Sequence, residues 1–349
     1  MLKYNTRQVN IGGVLVGGGA PITVQSMLNA PAANIKANVA QAVELEQAGC
    51  QILRVSVPDK AAVELIPAIK KAVKIPLVAD IHFDYRLALD AVAAGIDKIR
   101  INPGNIGDAS RVKQVADACR GHNIPIRIGV NSGSVESEIL AKYGAPTPQA
   151  LVESAEHHIS LLEQFDFNDI VVSIKASDVQ NMIAAYRLMA EHHSYPLHLG
   201  VTEAGTEHMG LIKSAIGIGS LLCDGIGDTI RVSLTAEPIK EIAAAKDILR
   251  GLGLLKKGVR FTSCPTCGRT GIDLIGLAKK AEEALKDCDK DISVAIMGCV
   301  VNGPGEAREA DIGIAGGVGE GLIFKKGKIL RKVPEAQIID ELLREIADM

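Results

Sequence analysis

Short runs of β-branched and aliphatic residues recur along the first 250 positions, and the stretches between them repeat apolar residues with helical period. The runs cover 22–25, 52–57, 77–81, 98–101, 126–130, 170–174, 197–201 and 229–232. A helical stretch such as Val39-Ala-Gln-Ala-Val43-Glu-Leu45 lies between the first two. Gly49, Gly95 and Gly121 stand before three of the runs, as helix-stop glycines do. Eight strands alternating with helices predict an N-terminal (β/α)8 TIM barrel. A doubly wound sheet needs a glycine-rich dinucleotide loop after its first strand, and none is present. Gly12-Gly13 and Gly17-Gly18-Gly19 read as hairpin turns able to plug the bottom of the barrel.

Barrel active sites form at the C-terminal ends of the strands, so the polar residues there carry the most information. Those ends hold Arg54, Asp80 and His82, Arg100 and Asn102, Arg127 and Asn131, Lys175, Glu203, and Arg231. Taken singly, each arginine reads as an ordinary surface ion pair. Five cations from separate strands converging on one mouth repel one another unless an anion sits among them, and a phosphate ester is the natural occupant. Asp80 and Glu203 either balance this charge or move protons.

Composition narrows the classes. Of 349 residues, 47% are hydrophobic and 23% charged, which is ordinary for a folded chain. Aromatics make up 3%, with no tryptophan, so Val, Ile, Leu and Ala must build the core. Thirty-eight Lys and Arg against 41 Asp and Glu leave a net charge of −3, which removes the electrostatic case for nucleic-acid binding. No apolar run approaches the roughly 18 residues of a membrane helix. The first residues lack the apolar core of a secretory signal, so a soluble, cytoplasmic protein is expected.

The last 97 residues, 253–349, change chemistry and read as a separate metal module after a barrel spanning 1–252. Four of the seven cysteines fall within 36 residues there. Ser263-Cys264-Pro-Thr-Cys267-Gly-Arg269 carries a Cys-x-x-Cys hook, and Cys299 follows in the glycine-rich segment Met297-Gly-Cys-Val-Val-Asn-Gly-Pro-Gly-Glu306. Three thiolates spaced 3 and 32 residues apart leave a fourth ligand position open. Structural zinc takes four closed ligands, and no histidine occurs after His208. An iron–sulfur cube takes one protein ligand per iron, so three thiolates leave one iron for a carboxylate or a substrate. Ligand count favours the cluster. Zinc, stapling the module beside a redox-inert barrel that binds a phosphorylated or pterin-like ligand, is the competing reading.

Other features read blandly. Gly316-Gly-Val-Gly-Glu-Gly321 lacks the Lys-Ser/Thr of a phosphate loop and reads as a connection between strands. His157-His158 and His192-His193 read as solvated helix faces, Cys50, Cys119 and Cys223 as core thiols, and Cys288 as an incidental thiol in an exposed charged turn. Ile338, Leu342 and Ile346, with Ile339 and Leu343, form the stripe of a docked C-terminal helix.

Several blocks together carry a family likeness: Ala20-Pro-Ile-Thr-Val-Gln-Ser-Met27, Ile99-Arg-Ile-Asn-Pro-Gly-Asn-Ile-Gly107, Ile128-Gly-Val-Asn-Ser-Gly133, Gly200-Val-Thr-Glu-Ala-Gly205, Asp224-Gly-Ile-Gly-Asp-Thr-Ile-Arg-Val-Ser233, and the two cysteine segments. The chain resembles the bacterial 4-hydroxy-3-methylbut-2-enyl diphosphate synthase family nearly end to end. It departs from the family at Leu28-Asn-Ala-Pro-Ala-Ala-Asn34, where Thr-Asn-Thr is usual.

The resemblance implies a TIM barrel followed by a small α/β domain like those of sulfite and nitrite reductases. It implies one [4Fe-4S] cluster per chain, held by Cys264, Cys267, Cys299 and Glu306. The implied substrate is 2-C-methyl-D-erythritol 2,4-cyclodiphosphate, its diphosphate held by Arg54, Arg100, Arg127 and Lys175 with Asn131, and Arg231 joins them as a further cation. Reduced flavodoxin or ferredoxin is the implied electron donor, and a homodimer that shares its active site between chains is the implied assembly. On this reading Glu306 is a labile fourth ligand, Glu203 the proton donor and Asn302 a guide for substrate, with His82 and Asp80 as further catalytic candidates.

Overall fold

The computed structural model describes residues 4–286, 288–299 and 307–349. They form two compact units, Met1–Leu252 and Gly253–Met349.

The first unit opens with an antiparallel hairpin, β1 (Gln8–Ile11) and β2 (Val14–Gly17). Gly12 and Gly13 turn it with φ of 52° and 96°, the left-handed values that tight hairpins demand. Eight parallel strands follow: β3 (Thr23–Met27), β4 (Ile52–Ser56), β5 (Leu77–Asp80), β6 (Lys98–Ile101), β7 (Ile126–Asn131), β8 (Ile170–Lys175), β9 (His198–Leu199) and β10 (Thr229–Ile230). Their order is β8-β7-β6-β5-β4-β3-β10-β9, and a parallel bridge between Val172 and Leu197 joins the two ends into a barrel. The sequence expectation of a (β/α)8 barrel is met strand for strand, although β9 and β10 pair over only two residues each.

The hairpin does plug the bottom. Val9, Ile11 and Val16 form one buried cluster with Ile52, Val78 and Val171, which lie at the first turns of β4, β5 and β8. Above this apolar base the barrel fills with polar side chains, where barrels normally stack Val, Ile and Leu.

The second unit is a mixed sheet in the order β11 (Val259–Ser263), β12 (Ile292–Met297), β13 (Ile312–Gly316), β14 (Glu320–Lys325), β15 (Lys328–Pro334). The first three strands are parallel and the last two antiparallel. Gly317-Val318-Gly319 is the turn from β13 to β14, as its composition predicts. The helix Ile338–Ala347 buries Ile338, Leu342 and Ile346 in the core of this unit, with Ile339 and Leu343 packed against it. No helix among the described residues is long and apolar enough to cross a membrane.

Three of the bland readings change. Cys223 is exposed instead of buried, because it ends its helix at the surface, whereas Cys50 and Cys119 are core thiols as expected. Burial pushes their thiols up to about 11 and about 12. Cys288 is half-buried and packs on the core of the second unit. His158 is fully buried, since it falls on the inward stripe with Leu151, Ser154 and Leu162; only His157 beside it is exposed.

Candidate active site

Alternation along a strand sends every second side chain into the barrel. On β6 this aims Lys98, Arg100 and, just beyond, Asn102 inward, while Ile99 and Ile101 face the helices. The same period aims Arg127 and Asn131 inward on β7, and Ser173 and Lys175 on β8. A cavity of about 290 Å³ opens there, lined by Arg54, His82, Arg100, Asn102, Asn105, Arg127, Asn131, Ser134, Ser173, Lys175, Thr202, Arg231 and Ser233. The structure thus brings together all five predicted cations, with His82 and Asn131.

Asp80 lies just beneath the lining, 1% exposed, and organises it. Its carboxylate accepts from Arg54 and, at 3.2 Å, from Arg100 Nη1, with His82 Nε2 at 3.5 Å. Burial alone would push this carboxyl up; Arg54 and Arg100 outweigh it and hold it well below the usual carboxylate range. Arg100 also donates from Nη2 to the Gly129 carbonyl at 3.2 Å. Arg231 is steadied from outside the barrel by Glu241, 3.5 Å away on the helix Pro238–Gly251. Glu241 itself is buried, accepting from Ser26 Oγ and the Leu234 amide. Gly200 leaves room for Lys175: a Cβ there would sit 3.1 Å from its Nζ and 2.6 Å from the Arg231 carbonyl oxygen.

The positive charge continues below the cavity. Lys98 is fully buried, and its Nζ has no hydrogen-bond partner; neither do Arg127 Nε and Nη1 or His198 Nε2. Burial, then the neighbouring Arg127 and Arg54, push the Lys98 ammonium well below its ordinary value. Burial likewise depresses Lys175, with Arg231 and Arg127 adding repulsion. Five lining cations from five strands, with the Lys98 amine beneath them, therefore face Asp80 and Glu241, a surplus that favours a multiply charged anion. Lys98, His198 and Glu241 were not singled out from the sequence. For Lys98 the signal was present, two residues before Arg100 in the same strand.

Glu203 stands on the same rim, next to Thr202 but outside the cavity lining. It is exposed, with φ of 50°, a left-handed value that costs a non-glycine residue energy and that concentrates at functional sites.

In the second unit, Cys264 directly follows β11, and Cys299 lies two residues beyond β12. The strands are parallel neighbours, so both loops leave the same edge of the sheet. Cys264 Sγ accepts from the Gly298 amide at 3.2 Å, and Gly271 N donates to the Gly298 carbonyl at 3.1 Å, tying the loop after Cys267 to that before Cys299. The Cys267 thiol is pulled down by the backbone amide and side chain of Arg269, with Thr270 helping. Amide-to-sulfur donation and stabilised thiolates are the donor chemistry of iron–sulfur ligands, so these cysteines fit such a group. No cluster of three or more His, Cys, Asp or Glu is gathered for a bare metal ion among the described residues. Asn302 and Glu306 lie outside the described residues.

Family models match both units: the GcpE TIM-barrel domain over residues 6–246 and the GcpE protein C-terminal domain over 260–348. A curated relative from Clostridium perfringens is 58% identical over 346 residues, 99% of either chain, and one from Listeria monocytogenes is 55% identical over 99% of this chain and 94% of its own. Both are named 4-hydroxy-3-methylbut-2-en-1-yl diphosphate synthase (flavodoxin). Among solved structures, dihydropteroate synthase from Stenotrophomonas maltophilia matches with a TM-score of 0.53 at 14% identity, covering 71% of this chain and 97% of its own. Type I 3-dehydroquinate dehydratase from Clostridium difficile matches with a TM-score of 0.53 at 13% identity, covering 71% and 98%. At such identities the two structures share the fold alone.

Proposed function

The chain belongs to the GcpE family, and on that premise we propose how its two units carry out the family reaction. It is an oxidoreductase with 4-hydroxy-3-methylbut-2-enyl diphosphate synthase activity, serving isoprenoid precursor biosynthesis by the methylerythritol phosphate route. The substrate is 2-C-methyl-D-erythritol 2,4-cyclodiphosphate. Its C2–O bond breaks, the C3 hydroxyl leaves as water, and two electrons and two protons are taken up.

The observation that carries this reading is the set of pocket cations, Arg54, Arg100, Arg127, Lys175 and Arg231, held against two buried carboxylates, Asp80 and Glu241. They hold the diphosphate, with Asn131 as a neutral partner. They also stabilise the charge that gathers on the diphosphate oxygen as the C2–O bond opens. Their positions are set before substrate arrives, because Asp80, Glu241 and the Gly129 carbonyl already orient three of them. His82, half-exposed beside Asp80, steadies the rim. Glu203 supplies the proton that leaves with the hydroxyl, and Asn302 orients the substrate.

Cys264, Cys267, Cys299 and Glu306 would hold one [4Fe-4S] cluster per chain, which supplies single electrons and a Lewis-acidic iron when bound. Reduced flavodoxin, which the relatives' name specifies, is the donor in this reading, with ferredoxin as the alternative carrier. The reading also takes the chain as a homodimer in the cytoplasm.

Protein purified without air is the test. About four irons and four sulfides per chain, with reductant-dependent consumption of the cyclic diphosphate, are expected. Stoichiometric zinc without sulfide, or no consumption, overturns the reading.

A further inference from the structure

Two loops at the barrel mouth contribute only uncharged hydrogen-bonding groups to the cavity. The loop after β6 supplies Asn102 and Asn105, and the loop after β7 supplies Ser134. Behind them, on the helix Pro148–Glu163, lies His158, fully buried, with Nε2 2.7 Å from Oε1 of Glu136. Glu136 closes the second loop, immediately before the helix Ser137–Tyr143. Burial favours the neutral acid, but the His158 imidazole and the Ser154 hydroxyl beside it prevail and hold the Glu136 carboxyl down at about 2.

The first loop rests on the same pair. A Cβ on Gly104 would lie 2.9 Å from His158 Cε1 and 3.5 Å from both Glu136 Oε1 and Asn102 Oδ1, so the backbone at Gly104 is in contact with the imidazole. The Gly104 amide in turn donates to Asn102 Oδ1 at 3.2 Å. The pair of buried His158 and half-buried Glu136 therefore touches both loops, and neither loop shifts without disturbing it. The cations are rooted differently, in the strands and in Asp80.

Resting on the proposed function, we infer that His158 and Glu136 are positioning residues: they hold Asn102, Asn105 and Ser134 against the hydroxyl-bearing carbon skeleton of the substrate, leaving the diphosphate to the cations and Asn131. The neutral amides and hydroxyl of these loops match alcohols, and their spacing depends on the pair.

The holoenzyme variant Glu136→Ala tests this. Misplacing contact groups by about an ångström costs up to about 100-fold in rate. The expected result is a KM for the cyclic diphosphate raised about 10-fold or more, with kcat within about threefold. Calorimetric affinity for inorganic pyrophosphate stays within about twofold, because that ligand lacks the skeleton. Glu136→Gln, which keeps a hydrogen-bond acceptor for His158, recovers most of the KM. Should Glu136→Ala fail to fold, Gly104→Ala pushes the same loop off the imidazole and must show the same split. Equal weakening of substrate and pyrophosphate, or a lowered Tm with unchanged KM, overturns the inference. Wild-type turnover in the same assay tests the functional reading separately: its absence fells both, whereas normal wild-type turnover with no split fells the positioning role alone.

Discussion

Arg100 on β6 donates a hydrogen bond from Nη2 to the carbonyl of Gly129 on β7, and its guanidinium occupies the space a side chain at 129 would need. A Cβ on Gly129 collides with the Arg100 Nε, so glycine at this position keeps the cation on its axis. Gly129→Ala is expected to raise the KM for the cyclic diphosphate by about 10- to 100-fold with a small change in Tm, measured by steady-state kinetics and calorimetry. An unchanged KM would show that Arg100 has room to move.

Asp80 neutralises the buried Arg100 and the part-buried Arg54 at once, so Asp80→Asn leaves both uncompensated. Breaking such a buried pair costs about 3–5 kcal/mol, read from urea unfolding at pH 7. The sign with pH follows from its carboxyl being held low. The stability that Asp80 contributes is complete above the unfolded value of about 4 and is lost as pH falls towards the folded one. The gap between wild type and Asp80→Asn should therefore narrow below about pH 4.

Lys98 has the opposite character, a buried amine with no partner. Lys98→Met, similar in length and apolar, is expected to stabilise the ligand-free protein by about 1–4 kcal/mol while weakening pyrophosphate binding. Between the depressed folded value and the ordinary unfolded one, the unfolded chain binds the extra proton, so wild-type stability rises with pH there. Loss of that upward slope in Lys98→Met is the check, by thermal unfolding across the alkaline range.

Cys264→Ser, Cys267→Ser and Cys299→Ser should each reduce the iron and sulfide counts and abolish reductant-dependent turnover, whereas Cys288→Ser should leave both unchanged. Pyrophosphate binding to the barrel survives all four, which separates loss of electrons from loss of the anion site.

Glu203→Gln should cut kcat by about 100-fold or more, within the usual span for a general acid, with iron content and KM nearly intact. Turnover near the wild-type rate would remove Glu203 from proton transfer.

The barrel was legible because its two periodicities, two in the strands and 3.6 in the helices, are written plainly between 22 and 252. The converging cations were legible too, since each alternates inward on or just past a strand, although only Lys175 and Arg231 stand at strand ends: Arg54 is mid-strand in β4 and Arg127 lies near the start of β7. What escaped notice lay one layer down. Lys98 alternates with Arg100, but a reading centred on strand ends passes over it. Glu241 acts from a helix outside the barrel, and only tertiary packing reveals its reach to Arg231 and Ser26. His157-His158 reads as a solvated face because the stretch around it is helical and polar, whereas the spacing of His158 from Leu151, Ser154 and Leu162 places it on the inner stripe. Asn302 and Glu306 were read from motif alone and lie outside the described residues.

The hairpin that buries Val9, Ile11 and Val16 against Ile52, Val78 and Val171 makes the barrel a blind well. Reactant and product then pass through the other end, the rim where Glu203 stands. Whatever covers that rim during turnover isolates the whole chamber in a single movement.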